Sequence, residues 1–263
     1  KKIYNLFHKK KFDYVVNLAA QAGVRHSITN PEEYLKSNLI GFFNILEASR
    51  KYKIKHLFFA STSSVYGDNI QNKFTEDANT NNPKQFYAAT KKSNEVMAYS
   101  YASLFNLNIT SLRFFTVYGP WGRPDMAVFK FVKNILENKK IELYNGGNHK
   151  RSFTYVEDVA ISLFKLIKKI SQKKKNNKFY YQVFNIGSHK QVSLKILLEK
   201  LSKILKIKKI KIKYLPLQDG DVKDTKANCN KLIKYINYHP KTKIENGLKN
   251  FVRWYLNYNK IDN

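Results

Sequence analysis

The fold and the chemistry of this chain follow from two stretches, ASTSSVYG at 60–67 and YAATK at 87–91. The apolar run at 56–60 predicts a buried strand, which ends in a cluster of hydroxyl side chains. Tyr87 and Lys91 open a helical pattern and lie four residues apart, so they share one helix face. An ammonium group beside a phenol favours the phenolate and lowers the pKa of a tyrosine. The pair is therefore a candidate proton acceptor near neutral pH, with a hydroxyl from the strand end sharing the proton.

A Tyr-x-x-x-Lys pattern alone is weak evidence, because it also occurs on ordinary amphipathic helices. Here it is joined to a hydroxyl cluster after a strand, with the run RFFTVYGP at 113–120 downstream. With these segments the chain resembles the extended short-chain dehydrogenases/reductases, in the NAD-dependent epimerase/dehydratase family, and most closely the UDP-glucuronate 4-epimerases. The resemblance extends from about Phe12 to about Tyr258. It implies an α/β fold, a doubly wound parallel sheet of Rossmann type with a smaller α/β substrate domain.

The composition is that of a globular protein. The chain has 263 residues, of which 43% are hydrophobic, enough for one large or two small domains. No apolar run is long enough to span a membrane, and no segment resembles a signal peptide. The single cysteine, Cys229, excludes an internal disulfide framework and fits a reducing compartment. We therefore expect a cytoplasmic protein without a membrane partner.

The chain is strongly basic, with 48 Lys and Arg against 19 Asp and Glu and a formal net charge of +29. Such a charge is compatible with nucleic-acid binding, which is one alternative interpretation. No recognised nucleic-acid motif accompanies it, and lysine is abundant along the whole chain, so we expect no nucleic-acid partner. The histidines are scattered without the spacing of metal ligands, so we also expect no metal site.

Strands and helices alternate in the first half of the sequence. The patterns predict strands at 13–20, 56–60 and 108–114 and helices at 31–51 and 85–105. Asn30 is predicted to cap the first of these two helices, with Pro31 as its first residue. This order indicates a parallel sheet with its site at the carboxyl ends of the strands.

The beginning of the chain departs from the pattern of a dinucleotide-binding fold, which normally starts with a strand and a glycine-rich turn. The first glycine is Gly23. We therefore expect an N-terminally truncated chain, whose sheet lacks its first strands and which is inactive by itself. The predicted domains are a truncated NAD-binding domain over 1–118, to which the segment of about 181–206 returns, and a mainly sugar-nucleotide-binding domain over 119–263.

The resemblance implies three groups of site residues. The catalytic residues are Tyr87, Lys91, Thr62, Ser63 and Ser64. The residues near NAD are Leu18, Ala19, Ala20, Asn38, Ala60, Tyr87, Lys91, Phe114 and Val117. The residues near the sugar nucleotide are Gln21, Arg25, Thr116, Arg123, Arg151 and Gln218.

The resemblance also implies the reaction, 4-epimerisation of UDP-glucuronate to UDP-galacturonate through a 4-keto intermediate, with NAD as cofactor. Related dehydratases and decarboxylases carry carboxylates where this chain has Ser63 and Ser64, and neutral-sugar epimerases usually have Asn at the position of Thr116. Three alternatives remain: an epimerase of a neutral UDP-hexose, a UDP-glucuronate decarboxylase or dehydratase, and an inactive fragment without NAD binding. A homodimer is expected, through the helix at 31–51 and the helix that carries Tyr87.

Overall fold

The computed structural model describes residues 2–67, 74–172, 180–216 and 224–261. The chain divides into two compact units, unit 1 with residues 1–114 and 172–185 and unit 2 with residues 115–171 and 186–263. The assignment of NAD binding to 1–118 and of sugar-nucleotide binding to 119–263 stays a prediction.

Strands and helices alternate along unit 1 as the sequence predicts, and the elements of both units are numbered together in chain order. The strands, in chain order, are β1 (Tyr14–Asn17), β2 (His56–Thr62), β3 (Ile109–Phe114), β4 (Thr116–Tyr118), β5 (Ile141–Tyr144), β6 (Lys150–Tyr155), β7 (Tyr181–Ile186), β8 (Gln191–Ser193) and β9 (Ile212–Leu215). The α-helices are α1 (Lys2–Lys10), α2 (His26–Thr29), α3 (Pro31–Tyr34), α4 (Gly41–Lys51), α5 (Phe86–Phe105), α6 (Ala127–Leu136), α7 (Val156–Ser171), α8 (Leu194–Leu205), α9 (Asn230–Ile236) and α10 (Ile244–Asn259). A π-helix (Leu35–Ile40) joins α3 to α4, and short 3₁₀ helices cover Ser63–Tyr66 and Asn145–Gly147.

Unit 1 is built on a sheet with the strand order β1-β2-β3-β7. Strands β1, β2 and β3 run parallel, with Leu57 opposite Val15 on one side and opposite Ile109 on the other. Strand β2 is buried on both faces, since Leu57, Phe58 and Phe59 are all fully buried. An apolar run that is buried on both faces is typical of a central parallel strand covered by helices. The predicted α/β class with a parallel, Rossmann-type sheet is confirmed.

One hydrophobic core joins the helices of unit 1 to this sheet. Helix α5 packs against β2 and β3 and against α4. The buried members of the core come from α1, α4, β2, α5, β3 and the loops beside them: Phe7, Phe42, Leu46, Ala48, Ile54, Leu57, Phe59, Ala98, Ala102, Leu107 and Ile109.

The structure differs from the sequence-based expectations in two details of unit 1, the length of the first strand and the bond expected at the start of a helix. The first strand is shorter than 13–20 and lies at the edge of the sheet, with Leu18 beyond its end 53% exposed. Asn30 occupies the predicted N-cap position before Pro31, but its side chain makes no capping hydrogen bond. Its side-chain amide instead donates to Thr29 and contacts a ring nitrogen of His26.

Unit 2 contains two small sheets, with strand orders β4-β6-β8 and β5-β9. Strand β6 is parallel to β4 and antiparallel to β8, and β5 is parallel to β9. Helix α10 closely approaches β4 at a glycine, since a Cβ on Gly247 would lie 2.1 Å from the hydroxyl oxygen of Tyr118. Any larger residue at 247 would therefore separate the helix from the strand. Across the described ranges, no helix is both long and apolar enough to cross a bilayer.

Candidate active site

Tyr87 and Lys91 occupy the first two turns of α5, as predicted. Gln85 is extended, with φ −119° and ψ 150°, so the helix begins immediately before the tyrosine. Tyr87 is half-buried, whereas Lys91 is only 3% exposed. The helix places both residues on one face, and it packs against β2 and the 3₁₀ helix at Ser63–Tyr66.

The environment of Lys91 lowers its pKa. Burial disfavours the ammonium form and lowers the pKa to about 8, while the negative charge of Glu95 opposes this shift. Lys91 is therefore largely protonated at pH 7 and loses its charge in the mildly alkaline range. A cation in this position favours the phenolate of a neighbouring tyrosine.

A buried ion pair lies one turn beyond Lys91. Glu95 accepts hydrogen bonds from Arg113 Nε at 2.9 Å and Arg113 Nη2 at 2.8 Å, and both side chains are 4% exposed. Ser61 also donates to Glu95, at 2.6 Å. Burial opposes the charge of Arg113, but the hydrogen bonds and charge of Glu95 outweigh it and raise the pKa of Arg113. The pair connects α5 to β3, and the Ser61 bond connects it to β2. The sequence alone did not predict these contacts.

The predicted hydroxyl cluster forms at the end of β2. Thr62 is the last residue of the strand and caps the 3₁₀ helix, since its Oγ1 accepts from the Ser64 amide at 3.2 Å. The hydroxyl groups of Thr62 and Ser64 are 3.3 Å apart. Thr62 is 7% exposed, and Ser63 and Ser64 are half-buried. The structure therefore gathers the three hydroxyl residues beside the helix that carries Tyr87 and Lys91.

The residues predicted to lie near NAD in unit 1 follow the carboxyl ends of the strands or line them. Leu18 and Ala19 are exposed just after β1, and Ala20 is half-buried. Ala60 on β2 and Phe114 at the end of β3 are half-buried. Parallel strands present their carboxyl ends at one edge, which is where open α/β sheets bind ligands. The small side chains of Ala19, Ala20 and Ala60 at this edge and the buried lysine on α5 fit the nicotinamide end of a dinucleotide.

Asn38 is buried, with 1% exposure, and its side chain contacts protein groups. Its Oδ1 accepts from the Gln21 amide at 2.8 Å, and its Nδ2 donates to the Gln21 carbonyl at 3.0 Å. The same Nδ2 donates to Thr90 Oγ1 at 3.0 Å. These bonds join the loop after β1 to helix α5.

The remaining sugar-nucleotide candidates of unit 1 lie in that loop. The side-chain amide of Gln21 donates to Glu33 Oε2 at 3.1 Å. Arg25 is exposed and immediately precedes α2.

The described candidates of unit 2 lie on strands β4 and β6 and in the turn after β4. Thr116 and Val117 are half-buried on β4, and Thr116 lies opposite Phe153 of the adjacent strand β6. Arg151, on β6, is half-buried, and its Nη1 donates to the Lys150 carbonyl at 3.1 Å. Gln218 lies outside the described residues.

Arg123 lies in the turn after β4 and forms a bidentate ion pair with Asp125. The Nε of Arg123 donates to Asp125 Oδ1 at 2.9 Å. The two side chains are 44% and 54% exposed. The Arg123 side chain thus already holds a carboxylate, in an arrangement that is open to solvent. In the described parts of the chain, no group of three or more His, Cys, Asp or Glu side chains could hold a metal ion.

The sequence profile of the NAD dependent epimerase/dehydratase family matches residues 1–187. The chain belongs to this family. The match confirms the predicted family and its NAD cofactor. The assignment of NAD-binding residues to the carboxyl edge of the unit 1 sheet stays a prediction.

Two similar proteins cover nearly the whole chain. Protein CapI of Staphylococcus aureus is 47% identical over 265 residues, which cover 97% of this chain and 79% of that protein. UDP-glucuronate 4-epimerase 2 of Arabidopsis thaliana is 42% identical over 265 residues, which cover 97% of this chain and 61% of that enzyme.

Solved structures show the same fold with different bound sugars. The UDP-glucuronic acid 4-epimerase of Bacillus cereus, in complex with UDP-glucuronic acid and NAD, is 31% identical with a TM-score of 0.88, covering 98% of this chain and 79% of that one. The UDP-glucose 4-epimerase of Thermotoga maritima, with UDP-glucose, is 28% identical with a TM-score of 0.85, covering 98% and 81%. The family and fold are thus shared by epimerases of a uronate and of a neutral sugar.

Proposed function

We propose that this protein interconverts UDP-glucuronate and UDP-galacturonate by inverting C4 through a 4-keto intermediate. The observation that carries the proposal is the arrangement at the start of α5. There, Tyr87 and Lys91 share a helix face that packs beside a strand end bearing hydroxyl groups. The activities in the names of the Arabidopsis and Bacillus proteins support the uronate as substrate.

In this mechanism Tyr87 moves the proton of the sugar 4-hydroxyl. The charged Lys91 lowers the pKa of the tyrosine, so that its phenolate accepts the proton when C4 is oxidised and returns it when C4 is reduced. Thr62 shares the proton through its hydroxyl group. NAD, when bound, supplies the acceptor and donor of the C4 hydride.

The side chains beside Tyr87 favour simple epimerisation over dehydration or decarboxylation. Ser63 and Ser64 stand where the related dehydratases and decarboxylases carry carboxylates, and a serine hydroxyl cannot replace a carboxylate in acid/base chemistry near pH 7. Glu95, a buried carboxylate on the same helix, is bound by Arg113 and Ser61. Its oxygens are thus committed to holding the fold.

The uronate proposal assigns recognition of the sugar carboxylate to Thr116 and Arg123. A guanidinium group binds a carboxylate through two parallel hydrogen bonds, and Arg123 already makes this pattern with Asp125. A 4-keto uronate is a β-keto acid that loses CO₂ when its carboxylate aligns with the ring carbonyl π-system. Holding the carboxylate still therefore protects the intermediate.

A substrate comparison tests the proposal. The intact gene product is assayed with UDP-glucuronate, UDP-glucose and UDP-N-acetylglucosamine, and kcat/KM is measured for each. We expect UDP-glucuronate to be preferred by about 10- to 100-fold, because a hydrogen bond to a charged group contributes about 1.5–3 kcal/mol. Preference for a neutral sugar would contradict the uronate assignment and leave the epimerase assignment in place.

An epimerase of a neutral UDP-hexose is the second candidate. The Arg123–Asp125 ion pair favours this candidate. Asp125 already binds the guanidinium group that a uronate carboxylate would need, and a neutral sugar needs no such group. In that case removing Arg123 leaves kcat/KM for UDP-glucose unchanged.

We further propose a cytoplasmic homodimer that associates through α4 and α5. These helices pack together and expose apolar side chains, with Phe43 45%, Val96 59% and Leu104 72% exposed. Exposed apolar surface of this kind marks protein contacts. In light scattering, the V96E/L104E variant should have the mass of a monomer. F164E, which alters an exposed phenylalanine of unit 2, should keep the dimer mass. A wild-type monomer would contradict the proposal.

A further inference from the structure

We propose that Thr90 is a positioning residue for Tyr87, and that with Asn38 and Ser27 it fastens the first turn of α5 to the loop after β1. This inference rests on the proposed role of Tyr87 as the proton acceptor. Thr90 lies inside the YAATK stretch, but neither its side chain nor that of Ser27 carries a role in the reaction described above.

The hydroxyl group of Thr90 connects two parts of unit 1. Its Oγ1 donates to the Tyr87 carbonyl at 2.8 Å and accepts from Asn38 Nδ2 at 3.0 Å. Thr90 and Asn38 are 2% and 1% exposed, so water does not replace these bonds. A hydroxyl group has one proton, and its donation to the carbonyl leaves the oxygen to accept the amide proton. The two bonds are therefore mutually consistent.

The network also fixes the orientation of the Asn38 amide. Its Oδ1 accepts from the Gln21 amide, while Nδ2 donates to the Gln21 carbonyl and to Thr90. If Oδ1 and Nδ2 of Asn38 were exchanged, the side-chain oxygen would face the Gln21 carbonyl and the side-chain NH₂ group would face the Gln21 N–H. The Asn38 amide therefore binds both backbone polar groups of Gln21 and also the Thr90 hydroxyl group, so the position of the loop after β1 and that of Thr90 are linked.

The π-helix explains how Asn38 reaches these partners. Residues 35–40 form a π-helix between α3 and α4, which the regular apolar pattern of 31–51 does not predict. A π-helical turn contains one more residue than an α-helical turn. Each such extra residue rotates the following side chains by about 100° around the helix axis, compared with a regular α-helix. Such segments are rare and occur frequently at functional sites. Here the segment directs a side chain toward both the loop after β1 and helix α5.

Two further contacts hold Tyr87 from the same side. Its backbone amide, which has no partner within the helix at this position, donates to Ser27 Oγ at 3.2 Å. Ser27 is 1% exposed, and its hydroxyl group donates to the Val24 carbonyl at 2.6 Å. The ring of Tyr34 meets the ring of Tyr87 edge to face, with centroids 6.2 Å apart. The amide, the carbonyl and the ring of Tyr87 are therefore all positioned by residues 24–38 or by Thr90.

The consequence is geometric control of the phenol oxygen. A displacement of about 1 Å in a reacting group lowers a rate by about 100-fold. Thr90→Val keeps the shape of the side chain and removes the hydroxyl group, so the Tyr87 carbonyl and the Asn38 amide lose their common partner. We expect kcat to fall by about 10- to 100-fold, with KM within about threefold of the wild type.

The test compares the T90V, T90S and S93A variants of the intact gene product. T90S restores the hydroxyl group and should keep kcat within about threefold of the wild type. S93A is the matched control, because Ser93 makes the same kind of bond to the Ala89 carbonyl, at 3.0 Å, one turn farther along. It should leave kcat and KM unchanged.

A second measurement separates positioning from a general loss of stability. Tyrosine labelled with ¹³C at Cζ reports the environment and ionisation of each phenol, and the Y87F variant identifies the signal of Tyr87. T90V should shift this signal and its titration, while S93A should not. Equal losses of kcat in T90V and T90S, or wild-type kcat in T90V, would overturn the inference.

The proposed function can fail separately. If the wild type does not convert UDP-glucuronate, the NMR signal of Tyr87 alone decides the positioning role. An unchanged shift and titration in T90V would then overturn it.

Discussion

The first two turns of α5 and the turn after β4 carry the proposed chemistry in contrasting environments. Lys91 is 3% exposed and lies one turn from a buried ion pair, whereas the side chain of Arg123 is 44% exposed and pairs with an equally open carboxylate. A proton-transfer group needs a fixed, dry environment, because burial and neighbouring charge determine its pKa. A residue that recognises a substrate carboxylate must instead exchange one partner for another.

The largest expected effect is that of Tyr87→Phe, which removes the phenol oxygen and keeps the ring. We expect kcat to fall by about 1,000-fold or more, because the 4-hydroxyl loses its proton acceptor. Tyr99→Phe on the same helix is the control, since Tyr99 is 53% exposed, and it should leave kcat unchanged. Activity of Y87F within tenfold of the wild type would remove the tyrosine from the mechanism.

The two ion pairs should differ greatly in their contribution to stability. Glu95→Gln leaves the Arg113 charge buried without its counter-ion, and we expect the free energy of unfolding to fall by about 3–5 kcal/mol. Asp125→Asn removes an exposed ion pair and should change the free energy of unfolding by less than about 1 kcal/mol. Urea denaturation of both variants measures the difference. Equal changes in the two variants would show that the buried pair stabilises the fold no more than the exposed pair does.

The depressed pKa of Lys91 predicts a pH dependence of stability. The pKa is about 8 in the folded protein, against about 10.4 for an exposed lysine. Between these two pKa values the unfolded chain binds more protons than the folded protein does. The free-energy cost of burying Lys91 therefore decreases as the pH rises. Relative to K91M, the wild type should gain about 2 kcal/mol of unfolding free energy between pH 7 and 9.5. A constant difference would show that Lys91 titrates normally when folded.

The smallest predicted effect concerns Arg123. Arg123→Ala should lower turnover of UDP-glucuronate by about tenfold or release UDP-pentose, because the keto acid is held less firmly. The control is R253A, which removes another exposed arginine of unit 2. Unchanged turnover without pentose would contradict a role for Arg123 in carboxylate binding.

The sequence predicts the parts of the fold that depend on continuous patterns. Strands β2 and β3 and helix α5 lie within two residues of their predicted boundaries, because an apolar run or a long period of 3.6 residues identifies each of them. The edge strand β1 is shorter than its apolar run indicates, since pairing and not composition ends a strand.

The candidate site could be predicted only as a set of residues, not as a set of contacts. Tyr87 and Lys91 follow from spacing along one helix. The partners of Glu95 lie on two strands far away in sequence, and the partners of Asn38 depend on a π-helix that the apolar pattern hides. A signal for Glu95 was present, because it lies four residues after Lys91 and shares its helix face.

The most direct test of redox epimerisation at C4 follows UDP-glucuronate by proton NMR in D₂O with the intact gene product. Because the hydrogen that leaves C4 returns to it, we expect UDP-galacturonate with protium retained at C4. Deuterium at C4 would show exchange with solvent and contradict the mechanism. Formation of a UDP-pentose would show decarboxylation, and an unchanged UDP-glucuronate spectrum would show that the uronate is not the substrate.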